Sequence, residues 1–128
     1  MVERFEGAES IRAINTRLEL AYTLTALGRY DEAVTLSRNG LEAFRRKYDD
    51  RNPVVNRARL LLGDALRGQG RFAEAEPLLL ASYSALSGGS AVGLAKRWSR
   101  NALQALVRLY DAEGKPQEAA KYRSLLGR

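Results

Sequence analysis

The sequence contains no cysteine and no histidine. The first absence removes disulfides, thiolate zinc sites and thiol nucleophiles. The second removes the Ser-His-Asp triad, the Cys-His pair and imidazole metal ligands. No apolar run approaches the ~18 residues that a membrane helix needs. The opening residues, Met1-Val2-Glu3-Arg4-Phe5-Glu6, hold no apolar signal core. Carboxylates are plentiful, yet none forms a signature acid–base pair. These absences point away from an enzyme, a cofactor, a metal site or a membrane partner, and towards a cytoplasmic binding module. What is present is ordinary for a soluble protein: 128 residues, 45% apolar and 28% charged, enough for one domain (1–128) with a modest core.

The net charge of +6 is unevenly spread. Residues 1–52 carry nine basic and nine acidic side chains, 53–90 carry four and three, and 91–128 carry eight and three. Of the 21 basic residues, 17 are arginine. A positive end attracts acidic peptide, nucleic acid or an anionic surface, or is simply a solvated face.

The chain repeats itself. Three segments align without gaps: Leu20 to Ala33, Leu62 to Ala75 and Leu106 to Ala119. Each contains a glycine at the same place, Gly28, Gly70 and Gly114, spaced by 42 and 44 residues. An apolar helical pattern lies on either side. Each glycine is expected just past a helix end, in the left-handed conformation that closes off the last carbonyls. Tyr30, Phe72 and Pro116 follow two residues later and start a second helix; an aromatic there can plug the gap beside the turn. Ala33, Ala75 and Ala119 are small enough for two antiparallel helices to pack closely, opposite Ala21 and Gly63. Val107 stands in the third unit instead.

The boundaries agree. Asn52-Pro53 reads as an N-cap followed by proline in the first helical position. Ser90 is a second candidate cap. Asp31 and Glu32 sit in a first turn, where carboxylates complement the helix dipole. Pro77 is placed within about the first turn of its helix, where a missing N–H costs little. Six helices are predicted, at 8–27, 31–47, 53–69, 72–86, 91–113 and 116–126, and no strand. Gly40 and Gly93 are placed inside helices, which each weakens by roughly 0.5–1 kcal/mol.

These residues resemble the tetratricopeptide repeat, whose usual period is about 34 residues. The longer spacing here is similar to the subclass found in kinesin light chains and many bacterial proteins. Asp49-Asp50-Arg51-Asn52-Pro53 stands where that subclass has a linker ending in Asp-His-Pro. The stretch from Gln69 to Tyr83, with Leu109-Tyr110 and Gly114-Lys115-Pro116, is similar to terminal repeats of bacterial proteins that carry them behind a Ser/Thr kinase domain. No kinase element is present in this chain. Gly88-Gly89-Ser90 lacks the strand and the Gly-Lys-Ser/Thr of a phosphate loop, and reads as a linker. The resemblance implies an all-α fold, three helix-turn-helix repeats (about 8–47, 53–86 and 91–126) stacked in a right-handed superhelical solenoid.

It also implies a concave groove lined by the first helix of each pair. The groove positions are Asn15, Leu18, Tyr22 and Thr25; then Arg57, Leu60, Leu61, Asp64 and Arg67; then Asn101, Gln104, Arg108 and Asp111. Arg57, Arg67 and Arg108 can pair with carboxylates. Asn101 and Gln104 can bond a peptide backbone, and Tyr22 can receive an apolar side chain. Leu18, Tyr22 and Leu61 stand where clamps for acidic chaperone tails carry Lys and Asn, so that mode is not expected. Leu18-Glu19, Leu60-Leu61 and Gln104-Ala105 replace the paired asparagines of the kinesin-light-chain subclass. Trp98, flanked by Lys96, Arg97 and Arg100, is either a stacking platform or, the preferred reading, a packing residue against the preceding unit. The expected partner is a protein or peptide, bound by a scaffold or adaptor module that could be the C-terminal segment of a larger regulatory protein. Self-association through the solenoid ends is a further expectation. The alternative is nucleic acid on the basic surface of Lys96, Arg97, Arg100 and Arg108, which Asp111, Glu113 and Glu118 interrupt without any nucleic-acid motif.

Overall fold

The computed structural model describes residues 10–88 and 93–127. Among these described residues six helices follow one another: α1 (Ile11–Ala26), α2 (Tyr30–Lys47), α3 (Pro53–Gly68), α4 (Phe72–Leu86), α5 (Leu94–Ala112) and α6 (Pro116–Leu126). Among the described residues there is no strand. Ser90, and the expected helix starts at 8 and 91, lie outside them.

The same turn closes each pair. Gly28, Gly70 and Gly114 have φ of 82°, 81° and 73°. Their N–H groups donate to Thr25, Arg67 and Asp111 carbonyls at 3.1, 2.9 and 3.2 Å. The next residues, Arg29, Arg71 and Lys115, donate further back, to Leu24, Leu66 and Tyr110 at 2.8, 2.9 and 2.8 Å. This is the paired-bond C-terminus in which a left-handed residue satisfies carbonyls that the helix leaves open. At the opposite ends, Ser10 accepts from the Ala13 N–H at 3.2 Å. Asn52 accepts from the Val54 N–H at 3.0 Å, with Pro53 in the first helical position. The expectation of Gly93 inside a helix does not hold: it directly precedes α5 with φ of 62°. Pro77 lies in the second turn of α4, one turn further in than expected, and costs that helix one internal hydrogen bond.

Each helix packs on the next, and first helices also pack on each other, α1 with α3 and α3 with α5. No comparable packing joins α1 to α6, so the pairs stack in an open row rather than a closed bundle. The middle helix shows this most clearly: α3 has eleven of its sixteen residues buried, because neighbours surround it. Where α3 crosses α4, a Cβ on Gly63 would lie 2.9 Å from Leu79 atoms, so glycine permits the crossing. Between the first and second pairs, the Tyr30 ring lies where a Cβ on Gly68 would be, at 2.2 Å. Tyr30 does plug the gap beside the turn.

Within the third pair Tyr110 stacks on Tyr122 at 5.7 Å, and its hydroxyl reaches the second pair, donating to Glu76 at 2.6 Å. Burial, followed by the Glu76 carboxylate, pushes the Tyr110 phenol well above its ordinary 10.0. The linker ahead of α3 is held by buried Asn56. Its amide donates to the Asp50 and Asn52 carbonyls at 2.8 and 3.0 Å.

Candidate functional site: a cleft across the first helices

The stacking brings one face of α1, α3 and α5 to a shared cleft of about 260 Å³. From α1 come Glu19 and Tyr22; from α3, Arg57, Leu60, Leu61 and Asp64. From α5 come Arg97, Trp98, Asn101, Gln104 and Arg108, a stripe at helical spacing that runs three turns along the cleft. Leu60 and Leu61 are buried and form an apolar floor. Tyr22 is 52% exposed at one wall.

Two chains of polar contacts cross this surface. In the first, Arg57 of α3 donates to Glu19 of α1, and its guanidinium lies 5.3 Å from the centre of the Trp98 ring on α5. The arginine thus ties all three first helices together, as a cation–π contact and an ion pair at once. In the second, Asp64 of α3 accepts from Arg67 at 3.0 Å and from Arg108 of α5 at 2.9 Å. Arg67 in turn lies 5.7 Å from the Tyr30 ring. Asp64 is therefore the shared counter-ion of two arginines. Its burial is tolerated because both its oxygens are bonded.

The expected groove residues fall into three groups. Tyr22, Arg57, Leu60, Leu61, Asp64, Asn101, Gln104 and Arg108 meet at the cleft. Leu18 does not: it is fully buried and packs against Gly40 of α2. Its neighbour Glu19 takes the place on the cleft, because the Ile14, Leu18, Ala21, Leu24 stripe points at α2. Asn15, Thr25, Arg67 and Asp111 lie outside the lining. Thr25 bonds its own helix at the Ala21 carbonyl, and Asp111 pairs with Arg123 at 2.8 Å. The three arginines expected to wait for a ligand carboxylate, Arg57, Arg67 and Arg108, already hold internal carboxylates.

The basic surface expected at Lys96, Arg97, Arg100 and Arg108 divides: Arg97 and Arg108 line the cleft. Trp98 both packs on the preceding unit and forms a cleft wall, so the two readings of it merge. The signal for Arg97 and Trp98 was their spacing to Asn101, one turn on. Arg100 departs from the cluster and donates to the Leu126 carbonyl at 3.2 Å.

Stacked helix pairs with glycine turns, crossed by a cleft on their first helices, are the architecture that the sequence resemblance implied. The family model for the tetratricopeptide repeat matches residues 12–87. The chain belongs to the tetratricopeptide repeat family. No curated protein and no solved structure matches it. The match spans the first two tetratricopeptide pairs, α1 to α4, and the third pair, α5 and α6, repeats the same turn geometry. Tetratricopeptide repeats are in general non-catalytic modules of protein–protein interaction. Among the described residues no helix is long and apolar enough to cross a membrane. Nor does any group of three acidic side chains come together as metal ligands would.

Proposed function

We propose that the chain is a scaffold or adaptor module that holds an extended segment of a partner protein in the cleft of α1, α3 and α5. One observation carries this reading: Asn101 and Gln104 stand on consecutive turns of α5, over an apolar floor, between Trp98 and Arg108. Side-chain amides donate and accept, which suits a peptide backbone whose own N–H and C=O groups alternate. The floor of Leu60 and Leu61, with the Tyr22 wall, suits an apolar side chain of the same segment. The 42- and 44-residue spacing of the turn glycines supports the longer-helix subclass of the family, and the Gln69 to Tyr83 stretch supports a kinship with kinase-linked repeats.

The test is a peptide-library screen against the wild-type chain and the Asn101→Ala/Gln104→Ala variant. Both side chains sit at the cleft surface, so the variant keeps its fold, which circular dichroism checks. Hits should bind the variant at least tenfold more weakly. Hits that bind it unchanged would refute the cleft. Mixed-sequence RNA and DNA serve as the competing arm: micromolar binding that falls steeply with salt and is lost in Lys96→Ala/Arg97→Ala/Arg100→Ala would replace the peptide reading with a nucleic-acid one.

A further inference from the structure

The lining of the cleft is unbalanced in charge: Arg57, Arg97 and Arg108 face Glu19 and Asp64. The two carboxylates are not equivalent. Asp64 is 12% exposed and wedged between Arg67 and Arg108. Glu19 is 66% exposed and sits on the outer edge of α1, while the arginine that it pairs with, Arg57, is only 10% exposed. Arg57 is fixed by burial and by the Trp98 ring; Glu19 reaches it from solvent on a flexible stem.

That asymmetry gives the two partners different roles. A buried guanidinium without a counter-ion is costly, so Arg57 needs a carboxylate whether or not a ligand is present. A solvent-exposed carboxylate is well hydrated without a partner, so Glu19 loses little when another carboxylate takes its place. The arginine is therefore permanent and the carboxylate replaceable. Arg97, unpaired among the described residues, lies in the same cleft and adds attraction for a second negative group.

Resting on the peptide reading above, we propose that Glu19 is a built-in occupant of an acidic-residue subsite formed by Arg57, Trp98 and Arg97. A partner segment carrying Asp or Glu binds by exchanging its carboxylate for that of Glu19. The internal carboxylate keeps Arg57 paired when the subsite is empty and sets a threshold that weakly acidic or neutral segments do not overcome. Specificity then comes from competition within the chain itself.

The probe is acetylated hexaglutamate, with hexaglutamine as the neutral counterpart, titrated by the fluorescence of Trp98, the chain's single tryptophan. Glu19→Gln should bind hexaglutamate about tenfold more tightly than wild type and leave hexaglutamine unchanged. Glu42→Gln removes an equal charge from an exposed site on α2 and controls for the overall field; it should change affinity less than threefold. Adding Arg57→Gln to Glu19→Gln should abolish the gain. Circular dichroism confirms that each variant is folded. Affinity in Glu19→Gln no greater than in Glu42→Gln overturns the exchange, as does hexaglutamate failing to bind either protein. If library peptides still depend on Asn101 and Gln104 in that event, the cleft stands and the subsite alone is refuted; if they do not, both fall together.

Discussion

A Cβ at position 63 would sit 2.9 Å from two Leu79 carbons and 3.3 Å from the Ala75 carbonyl. One of those contacts is backbone, which cannot rotate away. Gly63→Leu should therefore lower stability by about 3 kcal/mol or more through overpacking, seen as a fall in the urea midpoint. An unchanged midpoint would mean that α3 and α4 cross elsewhere. Gly28 is a glycine for another reason. Nothing lies within 4 Å of its added Cβ, but φ is 82°. Gly28→Ala should cost only about 1 kcal/mol, from backbone strain alone. Tyr110 makes a third residue-scale case. Its phenol is buried against Glu76, so its folded pKa lies above the ordinary 10.0 and the neutral form is favoured by folding. The stability that it contributes is intact below pH 10.0 and is lost as pH rises beyond it. Urea midpoints measured from pH 9 to pH 12 should fall, and fall less in Tyr110→Phe. A flat profile would place the phenol in contact with water.

Helix ends were the most legible part of the sequence, and helix rotation the least. The three turn glycines, Asn52-Pro53 and Glu32, which pairs with Arg29, act through bonds within five residues, so local chemistry alone specifies them. Which residues of α1 face the cleft is a different kind of question. Leu18 and Glu19 are one position apart, about 100° around the helix. Only Gly40 on a neighbouring helix decides that the leucine points inward. Arg97 and Trp98 were missed as cleft residues for the same reason: their role depends on α3 lying beside α5, 40 residues away in the chain. The linker offers a test at this scale. Asn56→Ala removes one of two donors from each of the Asp50 and Asn52 carbonyls and leaves Arg59 without its Asn56 acceptor. It should cost about 2 kcal/mol. Asn52→Ala, which removes one cap bond, should cost about 1 kcal/mol. Equal urea midpoints for the two variants would show that the buried amide does no more than the cap.

An open row of helix pairs has two ends and one middle, and stability should follow that order. The central helix α3 is enclosed by α1, α2, α4 and α5, whereas α6 packs mainly on α5, with Tyr122 reaching the Tyr83 ring of α4. Native-state hydrogen exchange should accordingly be slowest in α3 and fastest in α6 and the outer turn of α1. Uniform protection across all six helices would indicate a single closed core. The stacked row also makes the cleft a property of how the pairs lean on one another, and that returns to one ring. Tyr30 rests directly on the backbone of Gly68, with no side chain between them. The gap between the first and second pairs at this point is thus one aromatic ring thick. Any larger residue at 68 acts as a wedge: it tilts one pair against the next and alters the curvature of the whole row. A single glycine at the end of α3 is in this sense the adjusting screw for the width of a cleft whose lining does not include it.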